Sequence, residues 1–157
     1  MVLPSLLKRF RNKWRTIWEG FWTEAPDPAN LPPVVGADEP ISRFILHTKG
    51  YFSAENRRVK RRVFMPDPKD KETSCYRTQG MSTSQIWEHC RNYVNERFHG
   101  RAEIVGAEIT NVGRLQLRPD NDPPRHVSIT NWSSDEEEWV SWAQVLADRA
   151  TLHLPTD

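Results

Sequence analysis

Residues 73–100 read TSCYRTQGMSTSQIWEHCRNYVNERFHG, and this stretch decides the fold class because it sets a strand pattern directly before a helix pattern. The segment TSCYRT, residues 73–78, predicts a strand. Ser82 and Gln85 then have the spacing of a capping box, and Gly100 is the residue at which the helix is expected to end. The stretch therefore predicts a strand, a turn and a helix with its N-cap at Ser82.

The sequence on both sides of this stretch continues the mixture of strands and helices. Strand patterns are found at residues 41–46, 57–66 and 125–132, and residues 102–120 predict a hairpin or two consecutive strands. A second helix is predicted after Ser134, which has capping-box spacing to Glu137, and its inward stripe is expected to contain Trp139, Trp142, Ala143 and Leu146. Strands that do not alternate regularly with helices predict an α+β fold with a mainly antiparallel sheet and two packed helices.

The N-terminal part of the chain differs from this domain in composition. Residues 6–22, LLKRFRNKWRTIWEGFW, alternate apolar spacings of three and four, which is typical of an amphipathic helix, and their cations lie on its flank and back. Residues 24–40 are rich in proline and have no helical or strand period, so they predict a linker or an extended strap. The chain is thus expected to contain a docking helix at residues 1–23, a linker at 24–40 and a compact α+β domain at 41–157.

An amphipathic helix with a wide aromatic face needs a surface that covers this face. A larger protein partner is the favoured surface, because a long tether suits an anchor that reaches away from its own domain. A membrane surface and the parent domain itself are the two alternatives. The residues expected to make the contact are Leu7, Phe10, Trp14, Ile17, Trp18, Phe21 and Trp22.

Composition narrows the classes of protein and of site that remain. The formal net charge is +1, so any attraction to nucleic acid or lipid must come from a local cluster of cations. The two cysteines, Cys75 and Cys90, are too few for a secreted disulfide scaffold and lack the spacing of a zinc site, and both are expected to be buried. No metal and no cofactor are predicted, and the expected location is the cytoplasm.

A dense group of cations lies in the predicted strand at residues 57–66. Such a group can neutralise the phosphates of RNA or DNA while an aromatic ring stacks on a base; its alternative role is to protect a solvated edge strand from aggregation. The residues expected to contact nucleic acid are Arg57, Arg58, Lys60, Arg61, Arg62 and Phe64. Three more arginines lie beside strand or loop boundaries and are candidates for an anion pocket, namely Arg77, Arg101 and Arg125.

The most suggestive candidates for catalysis are His126 and Ser128. Alternation along a strand places both side chains on one face, with an imidazole base beside a hydroxyl. The pair resembles one half of the two-histidine phosphoesterase signature, His-x-Ser or His-x-Thr, which needs a second such motif to supply both a base and an acid. None of the other histidines repeats the spacing, so catalysis is the less favoured interpretation.

Four motifs in order along the chain, ISRF, TSCYR, GRAE and PPRH, are similar to those of small bacterial proteins without an assigned activity. This resemblance implies a bacterial source and no catalytic residues. The sequence as a whole favours a non-enzymatic accessory or adaptor protein that docks on a larger assembly and contacts nucleic acid through its basic strand. The alternatives are a small phosphodiester-acting enzyme or toxin that uses His126 and Ser128, and a protein attached peripherally to a membrane.

Overall fold

The computed structural model describes residues 27–157 of the chain. The predicted docking helix at residues 1–23 and the start of the predicted linker lie outside the described residues, so the helix and its contact residues stay predictions. None of the helices formed by the described part of the chain combines the length and the hydrophobicity that crossing a bilayer requires.

Strands outnumber helices in the part of the chain that the structure describes. The strands are β1 (Pro40–Ile45), β2 (Phe52–Ser53), β3 (Arg58–Val59), β4 (Thr73–Arg77), β5 (Gly100–Val105), β6 (Gln116–Pro119), β7 (His126–Thr130) and β8 (Thr151–His153). The α-helices are α1 (Thr83–Tyr93), α2 (Gly106–Thr110) and α3 (Glu136–Arg149). Two short 3-10 helices are formed by Pro28–Asn30 and Arg61–Val63.

Six of the strands form one sheet in the order β6-β7-β4-β1-β5-β8, in which every neighbouring pair is antiparallel. β1 and β5 pair from Pro40 opposite Val105 to Ile45 opposite Gly100. β2 and β3 form a separate two-stranded hairpin. The predicted α+β fold, with a mainly antiparallel sheet and packed helices, is confirmed.

One side of the sheet, which we call the α3 face, carries the main hydrophobic core. Side chains alternate between the two faces of a strand, so every second residue of the central strands is buried here. α3 packs against this layer through Trp139, Ala143 and Leu146. The strand residues of the layer are Ile41, Ile45, Cys75, Ala102, Ile104, Val127, Ile129 and Leu152.

The opposite side, which we call the α1 face, is only partly apolar. α1 packs on Phe44 and Tyr76 through Ile86, Trp87 and Cys90. This smaller cluster of described residues includes no member of β6 or β7. The β6 and β7 part of the α1 face is therefore left to polar side chains.

The start of α1 follows the prediction, whereas its end does not. Ser82 Oγ accepts from the Gln85 N–H at 3.3 Å and Gln85 Oε1 accepts from the Ser82 N–H at 2.8 Å, which completes the predicted capping box. The prediction that the helix ends at Gly100 is wrong, because α1 ends at Tyr93. Gly100 instead begins β5, where it pairs with Ile45.

The N-cap of α3 is Asp135 rather than the predicted Ser134. Asp135 Oδ1 accepts from the Glu137 N–H at 3.0 Å, so a carboxylate satisfies one free N–H at the positive end of the helix. Trp139 Nε1 donates to the Ser133 carbonyl at 2.6 Å and fixes the turn before the helix. The capping box from Ser134 to Glu137 is therefore a wrong prediction.

One strand prediction is also wrong, and a second is decided between its two alternatives. Residues 57–66 contain only the short strand Arg58–Val59, after which the chain turns through the 3-10 helix Arg61–Val63. Of the two alternatives for residues 102–120, the structure contains two consecutive strands rather than a hairpin, because β5 pairs with β1 and β8 while β6 pairs with β7. α2 separates β5 from β6, and β8 was not predicted.

The described part of the proline-rich segment, residues 27–39, lies against the domain as a strap. Arg77 Nη1 donates to the Pro32 carbonyl at 2.7 Å. A side chain at Gly106 would clash with the strap, because a Cβ there would lie 2.5 Å from the Gly36 carbonyl oxygen. The close approach of these two backbone segments explains a glycine at the start of α2.

Candidate functional site

Two adjoining open grooves at the β2–β3 hairpin are lined by cationic side chains. The first has a volume of about 530 Å³ and lies between residues 58–62 and α3, and the second has a volume of about 620 Å³ and extends it past residues 46–51. Gly50 and Arg62 line both grooves, and the described lining residues include no Asp or Glu. We call this surface the basic track; its cations and its partly exposed ring belong to Lys49, Tyr51, Arg58, Lys60, Arg61 and Arg62.

The local fold explains why the cations of the basic track point outward. The Lys60 N–H donates to the Tyr51 carbonyl at 2.9 Å, which extends the short β2–β3 pairing. Val59 and Val63 are buried in the main core on either side of the turn. The side chains between these two anchors are exposed, namely Lys60, Arg61 and Arg62.

Acidic side chains neutralise little of this charge. Within residues 27–157, Arg58 is the one cation of the basic track in an ion pair, at 3.5 Å from Asp148, and the two side chains are 67% and 51% exposed. Water weakens such an exposed pair. Arg57, which was also predicted to contact nucleic acid, lines neither groove, and its guanidinium donates to both carboxylate oxygens of Asp157. The Arg57 guanidinium and a backbone N–H lower the pKa of Asp157 to about 2.

The aromatic ring of the basic track is Tyr51, not the predicted Phe64. Phe64 is fully buried, so its ring lies in the core rather than at the surface. Tyr51 is partly exposed, with the Arg62 guanidinium 5.0 Å and the His47 ring 5.4 Å from its ring centre. Tyr51 was not among the predicted contact residues, although its position after Lys49 and a turn glycine was a usable signal.

A second site is built around His126 on the α1 face. His126 Nδ1 lies 2.7 Å from Asp120 Oδ1, and His126 Nε2 lies 3.0 Å from Ser74 Oγ. With a proton on Nδ1, the imidazole donates to the carboxylate and accepts from the hydroxyl. We call this hydrogen-bonded series of three side chains the His126 centre.

Three adjacent strands hold the His126 centre in register. Across β4 and β7, Tyr76 is opposite His126 and Ser74 is opposite Ser128, so the imidazole reaches Ser74 along a diagonal. The Tyr76 ring meets the imidazole edge-on at 5.5 Å and restricts its rotation. Asp120 directly follows β6, and its N–H donates to the His126 carbonyl at 3.3 Å.

The three groups of the centre differ in their access to solvent. Ser74 is exposed, whereas the side chains of Asp120 and His126 are 40% and 11% exposed. Burial alone would raise the pKa of Asp120, but hydrogen bonds from the Asp122 N–H and from His126, with the charges of His126 and Arg118, lower it below its usual value. Asp120 is therefore a carboxylate at neutral pH.

Ser128, the predicted partner of His126, is not part of this series. It is buried on the same face, opposite Ser74, while the imidazole bonds Ser74 and Asp120. Ser74 is 52 residues from His126, and no local pattern links the two. Asp120 is six residues from His126, on the other side of a proline-rich turn, and that short spacing is a signal from which the pair could have been predicted.

The three arginines predicted to form an anion pocket are all buried. Arg77 Nε donates to Glu39 at 2.6 Å, and Arg125 Nη1 donates to the Arg77 carbonyl at 3.1 Å. Arg101 Nη1 donates to Ser42 Oγ at 2.9 Å on the α1 face. The structure thus brings Arg77 and Arg125 together and places Arg101 in another network, and the anion pocket stays a prediction.

The cysteines carry no reactive thiol. Cys75 and Cys90 are both buried and free, and burial raises the pKa of each thiol to about 12. Thiols with such pKa values are not nucleophiles at neutral pH. Over residues 27–157, no group of three or more His, Cys, Asp or Glu side chains is placed to hold a metal ion.

Comparison with known proteins adds no family to these observations. The chain matches no protein-family model, no curated protein and no solved structure. Its function therefore has to be inferred from the chemistry of the basic track and of the His126 centre.

Proposed function

We propose that the chain is an accessory protein that holds a single-stranded nucleic acid on the basic track and is recruited to a larger protein assembly by its N-terminal segment. The observation that carries the proposal is a row of five cations along two adjoining grooves whose described lining residues include no acid. Because the formal net charge of the chain is only +1, this charge is local. A chain of phosphates is the ligand whose repeated negative charge matches such a row.

Phosphates can bind the cations of the basic track with little loss of free energy from existing ion pairs. Lys60, Arg61 and Arg62 are exposed and have no acidic partner in the part of the chain that the structure describes. Arg58 can exchange Asp148 for a phosphate, since an exposed ion pair is worth only about 0 to 1 kcal/mol. Guanidinium groups also bind phosphate oxygens through two parallel hydrogen bonds, which a lysine cannot do.

Tyr51 favours a single strand over a duplex. Its partly exposed ring lies between the cations, and the Arg62 guanidinium and the His47 ring limit its rotation. An unpaired base can stack on such a ring, which contributes roughly 1–3 kcal/mol per base. The bases of a duplex are already stacked on one another, so a duplex would use only the charge of the basic track.

The salt dependence of binding tests this proposal. We expect a fluorescently labelled single-stranded oligonucleotide to bind the full chain with a log–log salt slope of about −3.5, since five contacts contribute about −0.7 each. The triple variant Lys60→Gln/Arg61→Gln/Arg62→Gln should bind more weakly, with a slope of about −1.4. Fluorescence anisotropy measured over a series of salt concentrations gives both slopes.

A matched control separates the basic track from overall charge. The triple variant Lys69→Gln/Arg97→Gln/Arg114→Gln removes the same charge from exposed residues that do not line the two grooves. It should keep the native slope and nearly the native affinity. Equal losses in the two triple variants, or an affinity that does not change with salt, would refute the proposal.

Recruitment by the N-terminal segment is supported by the amphipathic pattern of residues 1–23 alone. Deleting these residues should abolish co-purification with a partner protein from the native host. The shortened chain should retain the melting temperature and the oligonucleotide affinity of the full chain. A partner that still co-purifies with the shortened chain would rule out docking through this segment.

A further inference from the structure

The His126 centre has the connectivity of a hydrolytic Ser-His-Asp triad. The hydroxyl of Ser74 bonds one imidazole nitrogen at 3.0 Å, and the carboxylate of Asp120 bonds the other at 2.7 Å. In such triads the carboxylate orients the ring and the ring removes the proton from the hydroxyl. Ser74 is exposed while His126 is buried, so a substrate can reach the hydroxyl oxygen while the base is shielded from solvent.

We propose that Ser74 is a nucleophile with His126 as its general base and Asp120 as its positioning residue, and that it accepts a small neutral acyl group from an ester or thioester. This activity does not depend on the proposed nucleic-acid function. The centre lies on the α1 face, whereas α3, which lines the basic track, packs on the opposite face. Ser74, His126 and Asp120 line neither groove of the basic track, so variants of these three residues leave its cations and Tyr51 in place.

The size of the acyl group is inferred from a cavity beside the centre. Tyr76 lies two residues after Ser74 on the same face of β4 and is part of the wall of a cavity of about 170 Å³. Typical ligand pockets start at roughly 300 Å³, so this cavity accepts a small group only. Its wall is mixed, because Arg43 and His47 line it together with apolar and aromatic side chains that can contact a short aliphatic acyl chain. Leu46, His47 and Tyr51 also line the second groove of the basic track. The apolar and aromatic lining residues are Phe44, Leu46, Tyr51, Val63, Tyr76 and Val94.

The balance of charge around Ser74 favours a neutral substrate. Asp120 and Glu72 supply two negative charges, Arg118 is ion-paired to Glu72 at 2.7 Å, and Arg43 donates to the Ser74 carbonyl at 2.7 Å. Two acids and two arginines leave no excess positive charge to attract a phosphodiester. Arg118 is 59% exposed and lies on the same face of β6, two strands away, where it can turn toward a developing oxyanion.

The reaction follows from these positions. Ser74 Oγ attacks the acyl carbon as His126 Nε2 takes the hydroxyl proton, and the tetrahedral intermediate then loses the alkoxide or thiolate, which receives that proton from His126. Water next attacks the acyl-serine, again with His126 as the base, and the carboxylic acid leaves while Ser74 recovers its proton. Asp120 accepts a hydrogen bond from the Nδ1–H of His126 throughout, and that proton stays on the imidazole. The only co-reactant is water.

Labelling with a serine-directed fluorophosphonate tests the nucleophile without knowledge of the natural substrate. In this reaction Ser74 Oγ bonds phosphorus, fluoride leaves, and His126 takes the proton. Mass spectrometry of the full chain should find one adduct, on the peptide that contains Ser74, and Ser74→Ala should abolish it. His126→Gln should slow labelling about 100-fold or more, since general bases contribute about 10²–10⁴.

Two controls complete the labelling experiment. Ser84→Ala changes an exposed serine on α1 and should leave the labelling rate unchanged. Circular dichroism should be the same for all variants, and p-nitrophenyl acetate should be hydrolysed faster than the octanoate ester, as the small cavity requires. Absence of the Ser74 adduct in the folded native chain, or a native labelling rate in His126→Gln, would overturn the proposal.

The positioning role of Asp120 requires a readout that stability alone would not change. Asp120→Asn should slow labelling, and the double variant Asp120→Asn/His126→Gln should be no slower than His126→Gln alone, because both changes act through one imidazole. NMR should also detect a downfield Nδ1 proton in the native chain that is lost in Asp120→Asn. If the reductions in labelling rate of the two single variants multiply in the double variant, Asp120 does not act through His126.

Discussion

The α3 face and the α1 face are built from alternate residues of the same strands, yet they bury very different chemistry. In β7, Val127 and Ile129 are fully buried in the main core, while His126 and Ser128 of the same strand lie on the opposite face. The α3 face joins its strands to α3 through apolar contacts. The α1 face joins its strands to one another through hydroxyl, imidazole and carboxylate groups.

The difference shows how this fold can bury polar groups and remain stable. A buried polar group costs free energy unless it is hydrogen-bonded, and both imidazole nitrogens of His126 have partners. Other polar atoms of this face, such as Trp87 Nε1 and His89 Nε2, are buried with no hydrogen-bond partner among residues 27–157. Apolar burial on the α3 face must offset these costs, so mutations on the two faces should have separable consequences.

Truncation of neighbouring residues in β7 tests this separation with the largest expected effect. Ile129→Ala leaves a cavity in the α3 face and should lower the free energy of unfolding by about 2–5 kcal/mol. Ser128→Ala, one residue away on the α1 face, should lower it by no more than about 1 kcal/mol. Urea denaturation measures both values. Similar losses in the two variants would mean that the faces contribute equally to stability.

Mild acid should destabilise the α1 face through His89, and we expect this loss of stability to be smaller than that caused by Ile129→Ala. Burial and then the charge of Arg125 lower the pKa of His89 from 6.5 to about 4, although a hydrogen bond to the Pro124 carbonyl opposes the shift. As the pH falls, His89 therefore becomes protonated in the unfolded chain at a higher pH than in the folded chain. The stability contributed by neutral His89 is complete above about pH 6.5 and is lost as the pH falls toward 4. Between about pH 7 and pH 5 we expect a loss of roughly 2 kcal/mol.

The matched variants for this effect are two histidine substitutions. His89→Leu should remove most of the difference in unfolding free energy between the two pH values. His47→Leu changes an exposed histidine and should leave the difference in place. If His89→Leu unfolds with the native pH dependence, another group is responsible for the acid sensitivity.

Local sequence patterns were sufficient to predict a strand with a clear residue pattern and a helix with a clear capping motif. The strand pattern of β4 and the reciprocal spacing of Ser82 and Gln85 predicted a strand and a helix start that the structure contains. The cap at Asp135 was missed by one residue, because Ser134 and Asp135 are both good N-caps and only the local geometry decides between them.

Features that depend on long-range pairing could not be predicted. Ser74 and His126 meet because β4 pairs with β7, and a strand pairing is not encoded in the sequence of either strand alone. Tyr51 and Phe64 both flank the cations of the basic track, but the 3-10 turn Arg61–Val63 directs Phe64 into the core. The 3-10 turn therefore decides which aromatic ring faces solvent, and the sequence pattern had predicted a strand in its place.

The most direct test of the proposed function is a two-dimensional NMR titration of the ¹⁵N-labelled full chain with a single-stranded oligonucleotide. We expect amide shifts to concentrate at residues 49–51 and 58–62, with the Tyr51 ring protons shifted by base stacking and the amides of β6 and β7 unchanged. Shifts that instead concentrate at β6 and β7, or none at all at low salt, would contradict nucleic-acid binding on the basic track.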